Sequence, residues 1–285
     1  MAILDDDSVF GPGVARWRAG LGKLRDSVRQ ELVASQLAEH LPPLTTGSRV
    51  AVLDAGCGQG TQAIRLARAG YEVHGLDVSE ELLSVATATA ARESGDVRQR
   101  LQFEHGDLLH LGSGFSGRFD VVCCHGVLMY LPSLQDALAA LAATARPGGL
   151  LSVLTRNRAG IAMRAGMTGQ WTAAVDALDA RYYRNRVGID DVRADEPEEV
   201  RAAMEQAGAR RSAWYGVRLF TDHYDATETS HDFAALLAAE AEAGRRDPYR
   251  AVAALTHTIA VRSPAHPTED AARHSLSQIG AIAGH

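Results

Sequence analysis

Apolar residues recur at helical spacing from about Gly13 to His40, at Leu21, Leu24, Val28, Leu32 and Leu37. "LPPLTTGS" at 41–48 then breaks the pattern. From Arg49 onward, short apolar runs alternate with amphipathic stretches. "RVAVLDAG" predicts a buried strand, and "TQAIRLARAG" a helix closed by Gly70. "YEVHGLDV" predicts a second strand, followed by "SEELLSVATATAARES", a helix capped by Ser79. "LQFEHGD" and "FDVVCCHG" read as strands three and four. "SLQDALAALAATA" reads as a helix stopped by "RPGG", and "LLSVLTRN" as strand five. Strands that alternate with helices pair in parallel through crossovers. The expected fold is therefore a Rossmann-like α/β sheet with helices on both faces.

The rhythm fails between Arg158 and Asp195, where Trp171, Tyr182, Tyr183 and several arginines show no clean period. This stretch reads as a partly helical insertion after strand five, its aromatics forming either its own core or the wall of a pocket. "PEEVRAAMEQAGA" restores a helix with Pro197 in its first turn. "RRSAWYGVRLF" and "THTIAVR" supply two last strands, giving seven, with a further helix between them. The expected organisation is an N-terminal helical cap over 1–45, a catalytic domain over 46–262 with a lid-like insertion at 158–195, and a loosely attached tail over 263–285.

Composition narrows the setting. The 285 residues carry a formal charge of −6, which argues against a surface that grips nucleic acid throughout. The three cysteines, Cys57, Cys123 and Cys124, have neither CxxC nor paired spacing, so neither a disulfide framework nor a zinc site is expected. The start is acidic and lacks a basic segment followed by a long apolar one, and no run of about 18 apolar residues exists. A cytoplasmic protein without a membrane partner is expected.

The chemistry concentrates in "VLDAGCGQG", Val52 to Gly60. Gly56, Gly58 and Gly60 follow the first strand, at the carboxyl edge where open α/β sheets bind ligands. The spacing is G-x-G-x-G, not the G-x-G-x-x-G of dinucleotide turns. Asp54 just before it would repel a pyrophosphate and attract an ammonium or sulfonium group. Asp77 ends the second strand, where an acid bonds ribose hydroxyls. A nucleoside carrying a positive group fits both acids, and S-adenosylmethionine is such a molecule.

At this point the chain resembles the class I methyltransferases. The glycine turn, "GLDVS", "GD" at 106–107 and "RPGG" before a fifth strand match their order over about Arg49 to Asn157. "GKLR", "CHGVLMYLPS", "LSVLTRNRAG", "GVRLF" with "DHY", and "DPYRAVAALTHTIAVR" further resemble the tRNA 5-carboxymethoxyuridine methyltransferases, which esterify a carboxylate on a wobble uridine. That resemblance implies that Arg25 reaches the methionyl carboxylate and Gly56 backs the methionine part. It implies that Asp77 and the adjoining Val78 hold the ribose, that Asp107 and Leu108 border the adenine, and that His125 lies beside the sulfonium. Cys57 departs from that family, where glycine is usual.

For the acceptor, Arg156, Arg158, Arg164, Arg181, Arg184, Arg186 and Arg193 face only four aspartates over the same stretch. They form either a solvated surface or a lid that pairs with an anion through forked guanidinium contacts. Arg156, Arg184, Tyr182, Arg218 and His223 are the candidate acceptor residues. A carboxylate acceptor needs no base. A hydroxyl or amine would need one, with His125 or His223 as the available imidazoles. Three functions stay open: carboxyl O-methylation of a modified tRNA uridine, O- or N-methylation of a small metabolite, and non-catalytic cofactor binding. The net charge and the single lysine, Lys23, favour the second, and the motif match favours the first.

Overall fold

The computed structural model of the protein describes residues 23–186, 188–224 and 232–264. The expected helix before Lys23, with Leu21, lies outside the described residues, as does the tail from residue 265. Chain order runs α1 (Leu24–Ala38), β1 (Ala51–Ala55), α2 (Thr61–Arg68), β2 (Glu72–Asp77), α3 (Glu80–Ala90), α4 (Gly95–Gln99), β3 (Leu101–His105) and β4 (Phe119–His125). It continues with α5 (Leu134–Thr144), β5 (Ala145–Arg156), α6 (Ala159–Met167), α7 (Trp171–Asp179), β6 (Tyr182–Tyr183), β7 (Val192–Arg193), α8 (Pro197–Gln206), β8 (Ala209–Val217), α9 (Phe233–Ala243) and β9 (Leu255–Arg262).

Seven strands form one sheet in the order β3-β2-β1-β4-β5-β9-β8. The pairs from β3 to β5 are parallel, and β9 runs antiparallel to both β5 and β8. The order reverses between β1 and β4, which opens a crevice at the carboxyl ends of those strands.

Side chains alternate across the strands. Val52, Val121 and Cys123 pack with Leu37 of α1 and with Ala63, Leu66 and Ala67 of α2. Leu53, Val122 and Cys124 pack on the other face with Leu138 and Leu141 of α5 and Met204 of α8. Burying each such leucine stabilises by about 2 kcal/mol, before entropy is counted. Both faces are covered, which is why these strands read as apolar runs. Ser79 caps α3 by accepting from Leu82 N at 3.4 Å. At α8, Glu199 accepts from Glu196 N at 2.9 Å and Pro197 begins the helix.

The α1 helix lays Leu24, Val28, Leu32 and Val33 over Leu154, Val217 and Leu255, so the strand ends lie beneath it. Strand β5 begins earlier than the sequence predicts. Ala145 already pairs with Phe119, and "RPGG" enters the strand through an irregularity opposite Asp120, with Gly148 at φ +79. Glycine in the left-handed region turns what looks like a stop into a bulge. The insertion after β5 is the helix pair α6–α7 with the short hairpin β6–β7. Asn157 bridges to Asp195, so the insertion leaves and rejoins the sheet at one point.

Candidate active site

A pocket of about 430 Å³ opens at the carboxyl ends of β1, β2 and β4. Its lining includes Asp54, Gly56, Gly58, Asp77, Val78, Asp107, Leu108 and His125, eight of the ten residues that the sequence singled out for cofactor contact. Gly56 sits at φ +75, and a Cβ there would meet Val127 Cγ2 at 2.2 Å, so only glycine fits. Gly60 does not line the pocket. It begins α2 at φ +80, and a Cβ would press on Ala86 and Phe103 at 3.0 Å, so its task is helix–strand packing.

Asp77 is held by backbone donors. Gly58 N donates to Oδ2 at 2.6 Å and Ser79 N to Oδ1 at 2.9 Å. Burial nevertheless raises its carboxyl above the usual range, against those donors. Asp54 is 2 % exposed, and its Oδ2 has no hydrogen-bond partner among the described residues. Burial first, and the charge of Asp77 second, push it up to about 7. The Ala63 backbone bonds the carboxylate and partly opposes that rise, and a buried carboxylate with its other oxygen unbonded on a pocket wall suits a cation. Asp107 accepts from Leu109 N at 2.8 Å, which shapes the turn that brings Leu108 and Leu109 to the pocket. Cys57 packs its sulfur toward Gly75, where a Cβ would meet it at 3.0 Å, so the extra side chain is accommodated below the turn.

His125 ends β4, and its Nε2 lies 2.8 Å from Ser152 Oγ. Burial first, and Arg29 second, lower its pKa to about 3. A base held that low removes protons poorly at neutral pH. Tyr130, also on the wall, accepts from Asn185 Nδ2 at 3.1 Å, which joins the pocket to the insertion.

Arg25 does not line the pocket. Arg29, one helical turn further, does. The Arg25 guanidinium instead points at the Asp222 carbonyl, 3.4 Å away. There it joins a cluster drawn from five elements. Arg156 lies 3.4 Å from Asp222 Oδ2 and Arg218 3.1 Å from Oδ1. Arg164 of α6 donates to the Asp222 carbonyl, and Arg186 adds its field. Burial opposes ionisation of Asp222, yet the arginines outweigh it and hold the carboxyl at about 2. Burial and the neighbouring arginines lower Arg25 and Arg218 to about 10, against the pull of Asp222. Arg156 Nε and Arg218 Nε are buried without a hydrogen-bond partner among the described residues. Arg218 adopts φ +61, uncommon outside glycine. Its loop is pinned by buried Glu240, which accepts from Leu219 N, Phe220 N and Thr221 N at 2.7, 3.1 and 2.9 Å.

Of the acceptor candidates, Arg156 and Arg218 are therefore brought together. Arg184 is exposed and lies 3.6 Å from Asp190. Tyr182 and Trp171 are also exposed, whereas Tyr183 is covered by the Arg156 guanidinium at 5.3 Å. His223 lies against Tyr224, tilted by 40° with 4.6 Å between ring centres. Arg29, Asp222 and Tyr130 were not singled out in the sequence, whereas Arg164 and Arg186 belong to the arginine-rich stretch read there as surface or lid. A second hollow of about 500 Å³ lies along β8, away from the strand ends, and its Arg211, Arg245 and Arg250 are each paired with an acid.

Residues 53–151 match the family model "Methyltransferase domain". The tRNA 5-carboxymethoxyuridine methyltransferase of Escherichia coli (strain K12) is 28% identical over 240 residues, 84% of this chain and 88% of the relative. A ubiquinone biosynthesis O-methyltransferase of Xanthomonas campestris pv. campestris (strain B100) is 34% identical over 168 residues, 59% of this chain and 65% of the relative. Among solved structures, the magnesium protoporphyrin IX methyltransferase of Synechocystis PCC 6803 with bound SAH superposes with a TM-score of 0.59 at 22% identity, covering 92% of this chain and 99% of that one. The fold is that of the class I methyltransferases, and the chain is an S-adenosylmethionine-dependent methyltransferase whose cofactor is S-adenosylmethionine. The glycine turn, the unbonded oxygen of Asp54 and the backbone-held Asp77 fit that cofactor. Among the described residues no helix is long and apolar enough to cross a membrane.

Proposed function

We propose that the enzyme O-methylates a carboxylate-bearing acceptor, and that the acceptor is a modified uridine at a tRNA wobble position. The observation that carries this reading is that four guanidinium groups converge on Asp222, those of Arg156 and Arg218 at its carboxylate and those of Arg25 and Arg164 at its main-chain carbonyl. Arg156 is buried and Arg25, Arg164 and Arg218 are half-buried, and positive charge withdrawn from water in excess of its internal partner is costly unless a ligand anion completes it. The unpaired Nε–H donors of Arg156 and Arg218 are suited to carboxylate oxygens. The lowered pKa of His125 supports the same choice, because an acceptor that is already anionic needs no base.

In this reading Asp77, next to Val78, bonds the ribose hydroxyls and Asp54 pairs with the methionyl ammonium. Gly56 lets the methionine part approach the backbone, while Asp107 and Leu108 border the adenine. Arg29 is better placed than Arg25 for the methionyl carboxylate, since it lines the pocket. The bound cofactor supplies an activated methyl on a sulfonium. The chain's own task is to align the acceptor in line with it and exclude water. The insertion at 158–195 is the acceptor-side lid, tied down through Asn185 and Tyr130.

The second reading, O- or N-methylation of a small metabolite, draws on the ubiquinone-pathway relative and on the net charge of −6. One experiment separates the two: supply methyl-labelled cofactor with either tRNA pretreated with mild alkali or the small-molecule fraction of an extract. Label in the tRNA supports the first reading. Label confined to small molecules supports the second.

A further inference from the structure

Four side chains form an unbroken hydrogen-bonded chain through the sheet. His125 Nε2 lies 2.8 Å from Ser152 Oγ, and the same oxygen lies 2.8 Å from His257 Nε2. His257 Nδ1 lies 2.8 Å from Gln36 Oε1. The residues come from the end of β4, from β5, from β9 and from α1. Ser152, His257 and Gln36 are 0 %, 0 % and 2 % exposed, so water does not complete these bonds. The chain starts on the pocket wall and ends on α1, the helix that covers the strand ends.

The position of each proton follows from the one before it. Gln36 turns its Oε1 to the ring and leaves its buried Nε2 without a partner among the described residues, and with Oε1 as the acceptor His257 carries its proton on Nδ1. His257 Nε2 then accepts from the Ser152 hydroxyl. The Ser152 oxygen in turn accepts from His125 Nε2–H. His125 Nδ1 is left as the ring's lone-pair acceptor.

We propose that Ser152 and His257 are positioning residues that hold His125 in one neutral tautomer, Nε2 protonated and Nδ1 free to accept, with Gln36 of α1 setting the direction of the chain. This rests on the cofactor placement proposed above, together with the resemblance, which implies that the sulfonium lies beside His125. A lone pair beside a cation attracts it, and an imidazolium would repel it. Burial and Arg29 disfavour charge on His125, and burial with His125 and His40 disfavours it on His257. Arg29 faces His125 from α1, and Asp54, Asp77 and Tyr130 share its pocket. Tyr215 and His40 stand behind His257. The chain is thus a fixed dipole, and it couples seating of α1 to the wall of the active site.

The test uses the full chain labelled with ¹⁵N-histidine, in which two-bond ¹H–¹⁵N correlations report the protonated nitrogen of each ring. Wild-type His125 is expected to be neutral and Nε2-protonated without cofactor. Ser152→Ala should release it into a mixture of tautomers and weaken S-adenosylmethionine binding about three- to tenfold, the effect of one lost hydrogen bond. Ser152→Thr keeps the hydroxyl and should restore both. His125 protonated on Nδ1 in the wild type, or an unchanged tautomer in Ser152→Ala, overturns the proposal. A wild-type protein with the expected tautomer but no affinity for the cofactor overturns the cofactor placement and leaves the tautomer assignment standing.

Discussion

Gly58 N donates to Asp77 Oδ2 at 2.6 Å, so the turn after the first strand is tied to the acid that ends the second. That bond fixes one Asp77 oxygen from below, while the residue still lines the pocket. Asp77→Ala removes the anchor of the turn and, with it, the proposed ribose contact. A charge-assisted hydrogen bond is worth about 1.5–3 kcal/mol. Calorimetric titration should show cofactor affinity lower by at least tenfold. Unchanged affinity would remove Asp77 from the site.

Cofactor affinity should depend on pH through Asp54. Its pKa in the folded protein is raised to about 7, so below that pH the carboxyl is protonated. Pairing with an ammonium needs the carboxylate, and binding must then release a proton. Affinity is therefore expected to fall by up to tenfold per unit as pH drops below about 7, and to level off above it. Asp54→Asn should flatten the profile. A wild-type profile that is flat from pH 5 to 8 contradicts the role.

Gly56→Ala should destabilise the protein and weaken cofactor binding together. The new methyl would collide with Val127 at φ +75. Strain of this kind costs about 1–3 kcal/mol. Thermal unfolding with and without cofactor measures both effects.

Arg156→Ala and Arg184→Ala should behave oppositely. Arg156 is buried against Asp222, whereas Arg184 is exposed beside Asp190. Loss of one desolvated charged contact to the acceptor is expected to cost about 2–4 kcal/mol in transfer, roughly thirty- to a thousandfold. Cofactor affinity should be spared. Arg184→Ala should transfer at the wild-type rate. Equal rates in both variants would leave the cluster without a role in the acceptor step.

Much of the sheet was legible because β1, β2 and β4 are buried on both faces and so read as apolar runs between helical patterns. The glycine turn was legible because Asp54, Gly56 and Gly58 are adjacent in sequence. The arginine cluster at Asp222 was legible only in part, since Arg156 and Arg218 were candidates but their meeting was not readable. Arg25, Arg156, Arg164, Arg186 and Arg218 are separated by up to 193 positions and meet only through tertiary structure around Asp222. Arg25 and Arg29 occupy one helix face a turn apart, and spacing alone cannot say which turn overhangs the pocket. In the insertion, Trp171, Val175 and Leu178 of α7 do recur at helical spacing, yet they stay exposed, so the stripe did not say what the helix packs against.

The central claim is that the transferred methyl ends on a carboxylate oxygen. The most direct measurement is the alkali lability of label transferred from methyl-labelled S-adenosylmethionine to whichever fraction accepts it. A methyl ester releases labelled methanol in mild base, whereas an aryl ether or an N-methyl group does not. The account predicts release of essentially all transferred label. Label that resists mild base would contradict it.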